Sequence, residues 1–306
     1  AVVVVAVAVV LAVPAVVLTR STDDPEPAGA PAATVTTTDA PSTSGVVDGA
    51  SSGAAAASVR SVTVAVEGVV GWWDGARFVR AGGGEVPVQG GESYTLVGVG
   101  HPPRTARGSG PEDGCSTSDP PGVTVDVGLE PPERGVDARP PIAVSGVTDL
   151  VPRPVDALPS HPTYVAVAAA ALADLGVEDP GTELRQVVRT DFEGDGRDEV
   201  LLVAERVSDP DALLGEPGDH SVVLLRQVVE GNVVTTVVAE ATVAGPLDDE
   251  RTSLPVTRIV AVADLNGDGV MELVTQGRGR DGSRTSVHRV DPRGGVEELL
   301  SVACEA

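Results

Sequence analysis

The sequence predicts a mainly β protein, and three observations carry that prediction. Val-rich runs with polar residues interleaved recur from Val59 to the C-terminal SVACEA, and β-branched residues suit a pleated surface. Aromatic residues make up only 2% of the chain, so its core has to be built from Val, Leu and Ala. Turn residues (Gly, Pro, Asn, Asp) punctuate the runs at short intervals, while a single stretch has a helical period. The expected order is a β-rich module over 58–150, a connector with one helix over 151–182, and two four-stranded antiparallel units over 183–306. Ahead of these, 1–19 reads as a transmembrane segment and 20–57 as a disordered stalk.

The opening run AVVVVAVAVVLAVPAVVL carries no charge. At 1.5 Å per residue it nearly spans a hydrocarbon core of about 30 Å. A cleaved signal peptide is the rival reading, and its small-residue cleavage candidates would be Ala28 to Ala32. The first reading makes a single-pass membrane protein with its ectodomain outside the cytoplasm; the second makes a secreted one. The Pro, Ala, Ser, Thr and Gly of the following stretch form no periodic apolar face, so it cannot offset its chain entropy by burial.

Charge excludes some partners. The chain has 45 acidic residues against 21 basic ones, a formal charge of −24, and every basic residue is Arg. Such a chain repels nucleic acid and anionic lipid, so the membrane is met only through the N-terminal helix.

In the first module SVTVAVEGVVGWWDGARFV, SYTLVGVG, VTVDVGL and IAVSGV read as strands. Asp74-Gly75 is a hairpin turn signal. The paired Trp72 and Trp73 are either a core anchor or an exposed platform for a sugar ring. Gly- and Pro-rich residues 100–122 and 130–141 read as long surface loops. The helix is expected from Pro162 to Leu175, with Ser160 as cap, Pro162 in the first turn and Gly176 at the stop. Val165, Ala168, Leu172 and Leu175 form its apolar stripe, which predicts packing against a sheet.

The last third repeats itself. DFEGDGRDEVLLV (191–203) and DLNGDGVMELVTQ (264–276) each place oxygen-bearing side chains at alternate positions, a glycine after the third, and a carboxylate before an apolar run. The donors are Asp191, Glu193, Asp195 and Glu199 in the first copy, and Asp264, Asn266, Asp268 and Glu272 in the second. Backbone carbonyls of Arg197 and Val270 would complete the series. Hard cations such as Ca²⁺ take six to eight oxygen ligands, and alternation in a tight loop aims several at one centre. Acidic turns without metal are the plainer reading. An EF-hand is excluded, because the twelfth positions are Leu202 and Thr275 and a strand follows each loop.

A ninth-position carboxylate running straight into a strand resembles the calcium loops of the FG-GAP and VCBS repeat families. The resemblance covers about 183–304 and implies two structural Ca²⁺ sites on propeller-blade-like units. Two blades cannot close a ring, so the sheets are expected to pack on each other or on the first module and helix.

Cys115 and Cys304 are too few for a zinc site. They form one disulfide in an exported protein, or remain two thiols. His101, His161, His220 and His288 sit in no metal or catalytic motif, and no G-x-S-x-G elbow or phosphate loop is present. The expected function is a non-catalytic, calcium-binding module that binds an extracellular protein or a cell-envelope glycan. An extracellular hydrolase with a loop-borne site is the alternative.

Overall fold

The computed structural model describes residues 60–82, 85–115, 122–129, 139–178, 180–181, 183–210, 213–243 and 252–305. The expected anchor and stalk lie outside these residues. Among the described residues no helix is long and apolar enough to cross a membrane.

The first module holds strands β1 (Ser61–Ala65), β2 (Gly68–Trp73), β3 (Phe78–Arg80), β4 (Ser93–Gly98), β5 (His101–Arg107), β6 (Glu112–Asp113), β7 (Val123–Thr124) and β8 (Ile142–Ser145). Six of them form one sheet in the order β3-β2-β1-β8-β4-β5, and β6 with β7 makes a separate ribbon. β8 returns from a long excursion to pair antiparallel with both β1 and β4. The expected loop at 100–122 is corrected here, since HPPRTAR is the edge strand β5. The register with β4 pairs His101 with Gly98 and Arg104 with Leu96, so Pro102 and Pro103 fall at an irregularity of an edge strand, where a missing N–H is tolerated. Trp72 is buried among Val62, Val64 and Tyr94, and Trp73 meets Phe78 edge-on at 5.0 Å. One Trp is therefore a core anchor, and the pair presents no flat double platform.

The remaining elements are β9 (Asp156–Ala157), α1 (Pro162–Asp174), β10 (Glu183–Thr190), β11 (Glu199–Arg206), β12 (Leu214–Gly215), β13 (His220–Val229), β14 (Asn232–Thr242), β15 (Thr252–Ser253), β16 (Val256–Ala263), β17 (Glu272–Gly279), β18 (Gly282–Val290) and β19 (Val296–Glu305). The strands β10, β11, β13 and β14 form an antiparallel meander, and β16 to β19 form another. The first of these sheets is five-stranded rather than four-stranded, because β9 from the connector pairs with β10. β12 and β15 make a small ribbon.

The three sheets stack in layers with the β16–β19 sheet in the middle. One of its faces puts Val260, Val274, Val287 and Leu300 against Val70, Val97, Ile142 and Val144 of the six-stranded sheet. Its other face puts Ile259, Val262, Leu273 and Val290 against Leu201, Val203, Val223 and Leu225 of the five-stranded sheet. Gly71 permits the first contact, since a Cβ there would lie 2.7 Å from Leu300 Cδ2 and 2.5 Å from the Val79 carbonyl. The far face of the five-stranded sheet, with Val187, Leu202, Val222 and Leu224, is covered by Ala168, Ala171 and Leu172 of α1. Alternate residues of each strand thus serve opposite layers, which is the two-residue period of a strand at work.

The helix keeps its expected span and stop, with Gly176 at φ +81°. Its cap is His161 rather than Ser160: the imidazole Nδ1 accepts the Thr163 N–H at 3.2 Å. Polar ties also cross the layers. Arg258 is buried and bonded to the buried Glu205 of β11, and the Gln186 amide both donates to and accepts from the backbone of Ile259. Glu67 accepts bonds from Gln276 and Thr285 on the middle sheet. Cys115 and Cys304 form a disulfide with Cα atoms 5.6 Å apart, joining the first module to the last strand.

Candidate metal centre

Each acidic loop connects the first two strands of its meander, β10 to β11 and β16 to β17. The two close with the same hydrogen bonds. Asp191 Oδ1 accepts from the N–H groups of Gly194 (2.6 Å) and Asp195 (3.1 Å), and its Oδ2 accepts from Gly196 (2.9 Å). Asp264 does the same with Gly267 (2.7 Å), Asp268 (3.2 Å) and Gly269 (2.8 Å). Asp195 accepts the Arg197 N–H and Asp268 the Val270 N–H, each at 2.8 Å. Glu199 reaches back to the Phe192 N–H (3.0 Å), and Glu272 to the Leu265 N–H (2.8 Å). Gly196 and Gly269 have φ of +83° and +87°, the left-handed region that glycine enters cheaply.

The first loop brings three carboxylates together. One oxygen each from Asp191, Glu193 and Glu199 lies within 4.8 Å of the others. Two oxygens both about 2.4 Å from one cation are at most about 4.8 Å apart, so the three meet that spacing condition for sharing one metal ion. Asp195 is not in this convergent group; it points one oxygen at the Arg197 N–H instead. In the second loop Asp264, Asn266 and Glu272 are 3%, 4% and 1% exposed. There the Asn266 side chain bonds Asp268, donating to Oδ2 and accepting from the N–H, both at 2.9 Å.

Electrostatics mark both clusters as short of positive charge. Burial, then repulsion by Glu193 and Asp191, pushes Glu199 up to about 7. Burial, then Asp268 and Asp264, pushes Glu272 up to about 8. Burial and its acidic neighbours Asp195 and Asp191 raise Glu193 as well. Burial also pushes Asp191 up, but the N–H bonds from Gly196, Gly194 and Asp195, with the Arg153 charge, outweigh it and leave the carboxyl low. A bound cation would do for the glutamates what protons otherwise do.

Sequence reasoning missed two parts of this arrangement. The second position of each loop, Phe192 or Leu265, is fully buried and plugs the loop into the core. Arg153 ties the loops to one another, donating to the carbonyls of Asp191, Phe192 and, at 2.7 Å, Gly269. The Met271 N–H also bonds the Phe192 carbonyl, at 3.0 Å. The apolar residue at the second position was readable in both copies; a lone Arg in a Pro-flanked connector carried no signal.

The chain matches no family model, and neither a curated protein nor a solved structure resembles it significantly.

Proposed function

We propose that this chain is a calcium-stabilised, non-catalytic binding module, held outside the cytoplasm by its N-terminal segment, whose partner is an extracellular protein or a cell-envelope glycan. The observation that carries the calcium reading is the convergence of Asp191, Glu193 and Glu199 in a loop whose hydrogen bonding is repeated in a second loop. The resemblance to FG-GAP and VCBS repeats, drawn from the two loops, supports the same reading, as does the antiparallel meander that carries each loop between its first two strands. Support for the compartment comes from the disulfide, since such bonds persist in oxidising surroundings.

Asp191, Glu193 and Glu199 make the first site, with the Arg197 carbonyl and with Asp195 once a cation draws it away from the Arg197 N–H. Asp264, Asn266, Asp268 and Glu272, with the Val270 carbonyl, make the second. Such sets suit the weak affinities of extracellular modules, with Kd of order 10⁻⁴–10⁻³ M. At a Kd of about 0.1 mM and about 1 mM free calcium, each ion adds roughly 1.4 kcal/mol of stability. Titration calorimetry and thermal melts of the whole chain, in chelator and in millimolar calcium, test this. Two bound ions and a higher Tm in calcium are expected; identical melts and no heat of binding would reduce the loops to turns.

A further inference from the structure

Between β14 and the β17–β19 part of the middle sheet lies a cleft of about 590 Å³, within the range of roughly 300–1,000 Å³ usual for ligand sites. Its floor comes from β17 and β18, on the face of the middle sheet that also carries Leu273 and Val290. Here the apolar residues give way to Thr275 and Gly277 on β17 and to Ser286 and His288 on β18. Gly277 lies inside the strand, and a Cβ there would meet only the Thr257 hydroxyl, at 3.3 Å. Neither a turn nor crowded backbone requires glycine at this place. A glycine inside a strand often marks the close approach of another backbone.

His288 is 6% exposed and lines the cleft. Its Nε2 meets Thr275 Oγ1 at 3.0 Å, which leaves Nδ1 for a ligand. Burial, aided by Arg284 and opposed by Glu298, pulls its pKa down to about 4, so the ring adds no positive charge. Among the described residues the one Arg on the cleft wall is Arg284, and Glu298 already holds it at 2.9 and 3.1 Å. Glu240 and Asp281 add two further acids to the lining against that one guanidinium.

The opposite wall is made by Val238, Ala239 and Glu240, three successive residues of β14. Successive side chains of a strand point to opposite faces, but the irregularity at Val238 breaks that alternation and brings three in a row to one cleft. Among the described residues β14 is the terminal strand of its sheet. Its register with β13 skips Val238, a bulge of the kind that bends a strand and re-aims it beside binding sites.

We propose that this cleft binds an extended basic peptide segment, which adds to the edge of β14 and sets Lys or Arg side chains against the acidic rim. Strand addition draws affinity from main-chain hydrogen bonds, and the rim's charge speeds encounter and rejects acidic segments. The proposal deepens the binding-module reading and rests on it for the compartment in which the partner is met; it does not require calcium at either loop.

The test titrates the whole chain, in millimolar calcium, with a fluorescein-labelled hexapeptide of alternating Lys and Thr, read by anisotropy. Saturable binding is expected. Methylating alternate backbone amides of the peptide keeps its charge and should weaken binding about tenfold or more, as should Gly277→Leu, which fills the floor without changing charge. Asp281→Lys, at an exposed turn, should weaken binding in a chain whose core is untouched. Absence of saturable binding, equal binding of the methylated peptide, or equal binding by both variants would each overturn the proposal. Melts of the same samples with and without calcium read the metal loops separately. Peptide binding without a calcium shift sinks the metal reading alone, and the reverse sinks the cleft alone.

Discussion

Glu272→Gln isolates the electrostatic load of the second loop. The carboxyl is 1% exposed; burial first, then Asp268 and Asp264, raises it from 4.5 to about 8. The folded chain therefore keeps a proton that the unfolded chain releases near pH 4.5. Its contribution to stability is complete below that pH, declines as pH rises, and is lost once pH exceeds about 8. At about 1.4 kcal/mol per pH unit, the metal-free wild type loses about 5 kcal/mol relative to the variant across this window. The amide keeps an oxygen for the Leu265 N–H, so the loop's closing bond survives. Calcium would hold the carboxylate ionised, so the wild-type slope should flatten in millimolar calcium, and calcium should bind more weakly towards acid pH. Urea unfolding at about pH 5 and about pH 8, in chelator and in calcium, measures all of this. Wild-type and variant stabilities that run parallel with pH in chelator would refute the reasoning.

Arg153→Met leaves the carbonyls of Asp191, Phe192 and Gly269 without their shared donor; a loss of about 3 kcal/mol is expected in urea unfolding, with hydrogen exchange faster in both loops rather than one. Cys304→Ser opens a cross-link between residues 189 apart, which the chain-entropy argument places at up to about 5 kcal/mol; thermal melts of wild type with and without reductant should reproduce the difference. Leu273→Ala empties a fully buried position between two sheets and should cost about 2–5 kcal/mol, checked by denaturant midpoint, with the far-UV circular dichroism unchanged.

Much of the local structure was legible in the sequence. The apolar runs of β10, β11, β13 and β14, the Pro162 start and Gly176 stop of α1, and the D-x-x-G-D-G spacing of both loops all report on backbone conformation within a few residues. The Cys115–Cys304 pair was legible for a different reason: with two cysteines, a single pairing exists. Where local rules had two outcomes, the sequence did not choose. HPPRTAR reads as loop because Pro is excluded from paired strands, and only its place at a sheet edge makes it β5. His161 displaces Ser160 as the cap because its own ring nitrogen reaches Thr163 N–H.

By itself, then, the sequence determined most of the long strands, where the acidic loops turn, and that the core is Val, Leu and Ala. The tertiary structure decided what each apolar face meets. In β16 the run Ile259-Val260-Ala261-Val262-Ala263 is apolar on both sides, which announces burial of both faces without naming the neighbours. Only the stack shows Ile259 against the five-stranded sheet and Val260 against the six-stranded one. The same holds for Arg153, which lies 38 residues from Asp191 and 116 from Gly269, and for the cleft between β14 and β18. Such contacts join residues far apart in the chain, and hydrophobic burial is non-directional; a sequence pattern states that a face must be covered, and packing selects what covers it.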